Sequence, residues 1–213
     1  MFFYRIFRFF TFPIFWIVLK IRYKDAPSIF NEKIGRPTQD RPNGRIVWLH
    51  AYYSSDAADA LDEIIRVIPR TRVIVTYVKP TSDTTCTANA IYQYAPIDSR
   101  FVVRKFLKFW EPFAAIRIAS EIRPMQLYAL KKFDIPSFLI HGEMSKKSYR
   151  LWKLARRFAN KLIGKFTFVW AVNNEQTLRL ANLGAVHIKS EDGFRRETKL
   201  AEILTKINQM SES

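Results

Sequence analysis

One carboxylate in the first half of the chain has surroundings suited to acid–base chemistry. Asp56 follows Ser54 and Ser55 in a polar turn, between a predicted strand over Arg45–Leu49 and a predicted helix over Ala57–Ile68. A carboxylate at this point can accept the proton of a hydroxyl group as that hydroxyl attacks an activated donor. Side-chain oxygens in the same turn can instead cap the free amides of the helix. The residues leave both roles open for Asp56.

Polar side chains follow the other predicted strands as well. Because parallel strands end on the same side of a sheet, we expect these side chains to line one edge, where a sugar-like or phosphorylated ligand would bind. The predicted ligand-binding residues are His50, Ser54, Ser55, Lys79, Thr81, Ser120, Glu121, Arg123 and Ser145. Glu121 is the second candidate for acid–base catalysis, after Asp56.

The elements that position these residues alternate along the chain. The predicted strands are Arg45–Leu49, Arg72–Val78, Ile91–Tyr94, Phe113–Ala119, Ser137–His141, Phe166–Val172 and Val186–Lys189. Repeated strand–helix units with near-continuous apolar strands predict an α/β fold, a single Rossmann-like domain with a parallel sheet. We place a membrane anchor at residues 1–24, a connector at 25–44, the Rossmann-like domain at 45–194, and a helix with its tail at 195–213.

Composition narrows the class of partner. The net charge of +16 over 213 residues points to an anionic partner. Without zinc-finger spacing or an RNP-type aromatic motif, we expect no nucleic-acid partner. The single cysteine, Cys86, excludes an internal disulfide and fits a reducing compartment. No glycine-rich nucleotide motif is present, and the three dispersed histidines, His50, His141 and His187, make no metal site, so we expect no cofactor and no metal.

The N-terminus is apolar and aromatic. Its uncharged run, Phe9–Leu19, is 11 residues long, whereas a spanning helix needs about 20. We expect a retained anchor in or dipping into the bilayer, with cations on lipid phosphates. Its predicted membrane residues are Arg5, Arg8, Trp16 and Lys20. A marginal spanning helix, a signal peptide and a helix buried in the protein's own core are the alternatives.

A basic helix is predicted after Ser145. Its cations Lys146, Arg150, Lys153, Arg157 and Lys161 are spaced to form one stripe, while Trp152, Ala155, Ala159 and Leu162 can pack on the domain. The stripe is either a solvated helix face or a surface that docks on anionic lipid headgroups. We favour lipid docking, through Arg150, Lys153 and Arg157, because the same chain carries an apolar N-terminus.

Several short motifs occur along the chain in a distinctive order. They are Ile34-Gly35-Arg36-Pro37, Val47–Ala51, Tyr94–Asp98, Phe106–Pro112, Ser120–Pro124, Ile135-Pro136, Met144–Ser148, Asn174-Glu175 and Leu183–Ala185. In order and spacing they resemble motifs in the N-terminal half of the Kdo transferases, bacterial enzymes that add 3-deoxy-D-manno-octulosonic acid (Kdo) to a lipid A precursor. The resemblance covers essentially Met1–Ala185.

The resemblance implies the acceptor-side domain of a glycosyltransferase-B fold, with an N-terminal anchor at the cytoplasmic face of the bacterial inner membrane. Asp56 takes the place of the family's proposed catalytic glutamate, with one methylene less. The turn also differs through Tyr52, Tyr53 and Ser55, and Glu143 replaces a cation. Since the sequence ends about where the linker to the second domain would run, we expect a separate chain to bind the donor, CMP-Kdo.

Two functions are therefore predicted. The first is a Kdo transferase-like protein of lipopolysaccharide biosynthesis, which acts on a lipid A precursor when another chain supplies the donor-binding domain. The second is a catalytically inactive acceptor-domain homologue that binds lipid A-type glycolipid or a transferase partner at the inner membrane.

Overall fold

A computed structural model of the protein describes residues 16–68, 70–81, 90–119 and 122–192, together with Thr205. These residues contain a seven-stranded, wholly parallel sheet. Its strands are β1 (Arg45–Tyr53), β2 (Thr71–Lys79), β3 (Ala90–Tyr94), β4 (Ala114–Ile118), β5 (Ser137–Gly142), β6 (Phe168–Ala171) and β7 (Ile188–Ser190). The spatial order is β3-β2-β1-β4-β5-β6-β7. The predicted parallel α/β domain is confirmed.

Helices precede β1 and connect later strands of the sheet. They are α1 (16–22), α2 (Pro27–Lys33), α3 (Ala58–Val67), α4 (Arg100–Trp110), α5 (Pro124–Lys132), α6 (Lys146–Leu154), α7 (Arg156–Ile163) and α8 (Asn174–Asn182). A 3₁₀ turn over Ser55–Ala57 precedes α3. Within the described ranges, no helix is long and apolar enough to cross a membrane. Apart from Thr205, the predicted terminal helix over Arg195–Met210 lies outside those ranges, as do the anchor residues Arg5 and Arg8.

The central strand β1 is buried on both faces. Ile46 and Trp48 belong to a cluster with residues of α4 and α5, whereas Val47 and Leu49 belong to one with residues of α3. A strand covered on both sides needs apolar side chains at odd and even positions, which is why β1 is almost continuously apolar in sequence. Fully burying each such side chain stabilises the fold by about 1.5–3 kcal/mol.

β1 runs four residues past the predicted end at Leu49. It pairs with β2 as far as the partners Tyr53 and Lys79, and His50 and Ala51 are buried within the sheet. The extension is possible because Thr76, on the neighbouring strand, gives the imidazole of His50 a polar partner. The prediction that His50 lies at a strand end is therefore wrong.

The prediction of one long basic helix is also wrong, because the helix is broken at Ala155 into α6 and α7. The Trp152 ring stacks on the Phe158 ring across the break, with 5.9 Å between centroids. In one continuous helix, residues six apart point in different directions, so this stacking requires the break. Ala159 and Leu162 are buried as predicted, whereas Ala155 is exposed. The five cations consequently belong to two short helices.

Candidate functional site

The strand order reverses between β1 and β4. The chain first adds β2 and β3 on one side of β1 and then β4 to β7 on the other. At such a switch point the connections leave in opposite directions and open a crevice at the carboxyl ends of the two strands. The turn that carries Ser54, Ser55 and Asp56 follows β1 at this crevice. Ser120 and Glu121, the predicted residues after β4, lie outside the described ranges.

Asp56 is held by the backbone of its own turn. Its Oδ2 accepts a hydrogen bond of 3.2 Å from the Tyr53 backbone amide, at the last residue of β1. The N-cap position of α3 belongs to Ala57, without a side-chain cap bond, so Asp56 does not take the N-cap position. Ser55 beside it is exposed. The carboxylate is thus fixed at the end of β1.

Ser54 and Thr81 join the ends of two neighbouring strands. The two hydroxyl oxygens lie 2.8 Å apart, and the Thr81 backbone amide donates to Ser54 Oγ over 2.8 Å. The Ser54 backbone amide in turn donates to the Lys79 carbonyl over 3.1 Å. These bonds tie the turn after β1 to the end of β2. The predicted binding role of Ser54 and Thr81 remains a prediction beside this structural one.

Two tyrosines and a lysine cover the same edge. Tyr52 and Tyr53 pack edge to face, with 4.8 Å between ring centroids, and Tyr53 is 42% exposed. The Lys79 ammonium lies 5.7 Å from the centroid of the Tyr52 ring. An aromatic surface with a cation above it can hold the apolar face of a sugar while the ammonium meets an anion.

His50 belongs to the interior behind this edge. It is 1% exposed, and its Nδ1 lies 2.9 Å from Thr76 Oγ1, which also accepts a 2.8 Å bond from the Trp48 indole. Burial, followed by the charges of Arg117 and Arg123, holds the pKa of His50 well below its usual value. The imidazole is therefore neutral at physiological pH. It supports the strand rather than standing at the surface.

A buried polar network braces the loop between β3 and α4 against α5. Asp98 accepts bonds from the backbone amides of Met125 (3.2 Å) and Gln126 (3.0 Å), so it caps the start of α5 from another loop. Gln126 Oε1 also accepts a 2.5 Å bond from the buried guanidinium of Arg117. The predicted ligand-binding residue Arg123 donates to the Pro96 carbonyl over 3.2 Å. Arg123 is thereby held at the crevice beside this loop.

Residue-by-residue reasoning missed the role of Arg117 in this network. The one available signal was its position, because a charged residue interrupts the apolar strand Ala114–Ile118.

The sequence analysis also missed a histidine–carboxylate pair farther along the edge of the sheet. Glu191, 7% exposed, accepts from the His141 backbone amide (2.9 Å) and lies 2.6 Å from His141 Nδ1. His141 has a φ of +52°, so this pair holds the end of β5 in an unusual backbone conformation.

The remaining predicted residues lie apart from the crevice turn. Ser145 caps α6, where its side chain accepts a 3.1 Å bond from the Ser148 amide. The predicted membrane residues Arg150, Lys153 and Arg157 are exposed on α6 and α7. Two apolar side chains on α6 share this surface, since Leu151 is 60% and Leu154 86% exposed. We call these five residues the α6–α7 surface.

The α1 residues lie near α2. Trp16 packs edge-on to Phe30, with 5.8 Å between ring centroids, and the Lys20 ammonium lies 5.4 Å from the Trp16 ring centroid. Both Trp16 and Lys20 remain at least partly accessible. Their predicted membrane role remains a prediction.

Residues 28–191 match the family model described as 3-deoxy-D-manno-octulosonic-acid transferase (kdotransferase). The chain belongs to this family. It is 26% identical over 200 residues to "Probable 3-deoxy-D-manno-octulosonic acid transferase, mitochondrial" of Arabidopsis thaliana, an alignment that covers 86% of this chain and 44% of the relative. It is 30% identical over 183 residues to the 3-deoxy-D-manno-octulosonic acid transferase of Rickettsia bellii, covering 80% of this chain and 43% of the relative.

A third relative, the 3-deoxy-D-manno-octulosonic acid transferase of Rickettsia prowazekii, is 27% identical over 175 residues, which cover 75% of this chain and 38% of that one. The chain thus spans less than half the length of these curated relatives. The resemblance to Kdo transferases predicted from motifs is confirmed.

The structure gives two of the Kdo transferase motifs a structural reason. Gly35, in the first motif, has a φ of +73°, and an added Cβ would lie 2.7 Å from the Val102 carbonyl oxygen. Only glycine combines that backbone conformation with so close an approach. Asp98, the last residue of the motif Tyr94–Asp98, caps α5. In both motifs these residues position α2, α4 and α5 around the crevice.

Proposed function

We propose that this protein is the acceptor-binding part of a Kdo transferase of lipopolysaccharide biosynthesis. With a donor-binding domain supplied by another chain, it would transfer Kdo from CMP-Kdo to a lipid A precursor. The observation that carries the proposal is the position of Asp56, fixed at the switch-point crevice within the region matched by the family model. The tyrosines and Lys79 beside it form a surface suited to a phosphorylated sugar.

The chemistry assigned to this chain is proton removal. The acceptor hydroxyl gives its proton to the Asp56 carboxylate as its oxygen attacks the anomeric carbon of the donor sugar, and the phosphate of CMP leaves with the bonding electrons. The Tyr53 amide binds Oδ2 of the carboxylate and so fixes its orientation. CMP-Kdo would be held by the partner domain and not by this chain.

A transfer assay tests this function. The purified chain is mixed with the carboxyl-terminal half of a full-length relative, CMP-Kdo and a lipid A precursor in detergent. We expect Kdo-modified lipid, resolved by mass spectrometry, only when both protein chains are present. The matched negative control omits this chain. If the full-length relative is active in the same mixture and the two chains together form no product, the transferase function is wrong.

The second candidate is a catalytically inactive acceptor-domain homologue that binds lipid A-type glycolipid or a transferase partner. It is favoured by the rebuilt turn, where Tyr52 and Tyr53 form an aromatic pair and the hydroxyls of Ser54 and Thr81 are bonded to each other. Binding of the glycolipid without transfer, in the presence of a competent donor half, would support this function.

Membrane association at the cytoplasmic face of the bacterial inner membrane is part of the proposal. The α6–α7 surface sets two exposed leucines among three exposed cations, the composition of a helix that lies in a lipid interface. Apolar side chains there enter the acyl boundary while the cations meet anionic headgroups. The proposed N-terminal anchor would hold the domain at the same membrane.

Vesicle binding tests the α6–α7 surface. Each cation near an anionic membrane contributes about 1 kcal/mol, so Arg150→Gln with Lys153→Gln should weaken binding to vesicles containing anionic lipid by roughly 30-fold at low salt. The matched control is Arg104→Gln with Lys108→Gln, two exposed cations on α4. Co-sedimentation at increasing salt measures both pairs. Binding that salt does not weaken, or an equal loss in the control, would contradict docking by charge.

A further inference from the structure

A cluster of cations lies beside the carboxyl end of β3, away from the Asp56 turn. Lys33 ends α2, and its carbonyl accepts a 2.9 Å bond from the Ile97 amide in the loop after β3. Its ammonium lies 4.9 Å from the centroid of the Tyr94 ring and 5.4 Å from that of the Tyr23 ring. The two rings hold the ammonium in place. With Arg22 and Arg123, these residues form what we call the Lys33 cluster.

The carboxylate next to Lys33 in sequence, Glu32, is already bound elsewhere. Glu32 is 8% exposed, and its Oε2 accepts a 2.7 Å bond from the Tyr94 amide while its Oε1 accepts a 2.6 Å bond from the Thr38 hydroxyl. Among the described residues, Lys33 forms no ion pair. The ammonium therefore lacks the carboxylate partner that a partly buried cation usually has.

The pKa of Lys33 responds mainly to burial and to positive neighbours. Burial, then the charge of Arg123, then that of Arg22, lower the pKa of Lys33, and Glu32 opposes them only as the smallest contribution. The pKa of Tyr94 is raised, mainly by burial, so its ring is an uncharged phenol that does not repel an anion. The charges of two guanidinium groups thus act on Lys33, and the carboxylate that opposes them, Glu32, is already hydrogen-bonded.

We propose that the Lys33 cluster is a binding site for a phosphate monoester, carried by the phosphorylated membrane glycolipid that the protein takes as acceptor. The identity of the molecule that carries this phosphate rests on the proposed function. A phosphate with close to two negative charges satisfies several cations at once, and guanidinium groups match its oxygens in pairs. Arg22 is exposed at the end of helix α1, so the ligand would enter from the side of the predicted anchor.

Arg123 links this site to the crevice. Its charge lowers the pKa of both His50, at β1, and Lys33, at α2, and its guanidinium lies beside the loop after β3. Its bond to the Pro96 carbonyl fixes it there. A phosphate bound at Lys33 would consequently place the rest of a glycolipid headgroup on the side of the Asp56 turn.

Lysine-resolved NMR on the full chain gives the first test. The charge of a bound phosphate favours the ammonium, so the pKa of Lys33 should rise when inorganic phosphate or bisphosphorylated lipid A precursor in micelles is added. Phosphate binding is then strongest below the raised pKa and is lost as the pH passes above it. An unchanged Lys33 resonance with either ligand would overturn the site.

Affinity measurements give the second test. We expect Lys33→Met to weaken binding of the bisphosphorylated precursor at least tenfold, and Arg22→Gln, at an exposed position, about threefold. Lys132→Met on α5, also exposed, is the matched control and should have no effect. An equal loss in Lys132→Met would overturn the proposal.

Two further comparisons separate the possible sources of the phosphate. The dephosphorylated precursor should bind Lys33→Met and the unchanged protein equally. Inorganic phosphate that binds as tightly as the glycolipid would overturn the glycolipid assignment. If phosphate binding follows Lys33 and the transfer assay with a donor half yields no product, the proposed transferase function alone fails.

Discussion

Replacing Asp56 with asparagine is expected to lower the rate of Kdo transfer by about 100-fold or more, the usual contribution of a general base. Asparagine keeps the size of the side chain and an oxygen that can accept the bond from the Tyr53 amide. The turn should therefore keep its shape, and only the ability to take a proton is lost. Initial rates in the two-chain transfer assay, with acceptor and donor saturating, measure the effect.

Two variants control this experiment. Asp62→Asn, an exposed position on α3, should leave the rate unchanged. Asp56→Glu restores the longer acid of the family motif and adds roughly 1.5 Å of reach, so it should retain much of the activity. If Asp56→Asn is as active as the unchanged chain, Asp56 is not the base. Glu121, the other predicted acid, would then be tested through Glu121→Gln.

The parallel sheet and the turn that carries Asp56 could be predicted from sequence because both depend on local patterns. Buried strands are apolar throughout, and a polar turn follows each of them. The end of β1 could not be predicted in the same way. His50 resembles the first polar residue after a strand, but its polar partner Thr76 is 26 residues away on β2. Only the pairing of β1 with β2 shows that this histidine can be buried.

The Lys33 cluster was missed for the same physical reason. Glu32 and Lys33 are adjacent in a short, amphipathic stretch that predicts little beyond a solvated helix. The partner of Glu32 is the Tyr94 amide, 62 residues later. Arg123, which was predicted to bind ligand, acts on Lys33 from another loop. Charge excess at a site depends on which groups are already paired, and pairing over such distances is a property of the fold.

The break between α6 and α7 shows a related limit. Cations at helical spacing predicted one stripe, because spacing alone assumes a continuous helix. The break at Ala155 lets the Trp152 ring stack on the Phe158 ring, a contact that the helix preferences of the two residues do not predict. The exposed leucines of the α6–α7 surface followed from the structure alone. The prediction of lipid docking now rests on two short helices rather than on one stripe.

Gly184→Ala is expected to destabilise the domain by roughly 2–4 kcal/mol, from positive-φ strain and overpacking together. Gly184 has a φ of +107° and follows the end of α8, where the Ala185 amide donates to the Leu180 carbonyl over 3.0 Å. An added Cβ would lie 2.5 Å from Asn160 Cα, on α7. A backbone atom cannot rotate away as a side chain can, so α7 and α8 would have to separate.

Gly44→Ala separates the two causes. Gly44 has a similar φ of +97°, but its added Cβ would meet nothing closer than the Arg70 carbonyl oxygen, at 3.9 Å. It should therefore cost only the conformational strain, about 1 kcal/mol. Urea unfolding of both variants measures the free-energy difference between them, which is the cost of parting α7 from α8. Equal losses would show that backbone conformation alone requires glycine at 184, and that the family's Leu-Gly-Ala motif does not hold these helices together.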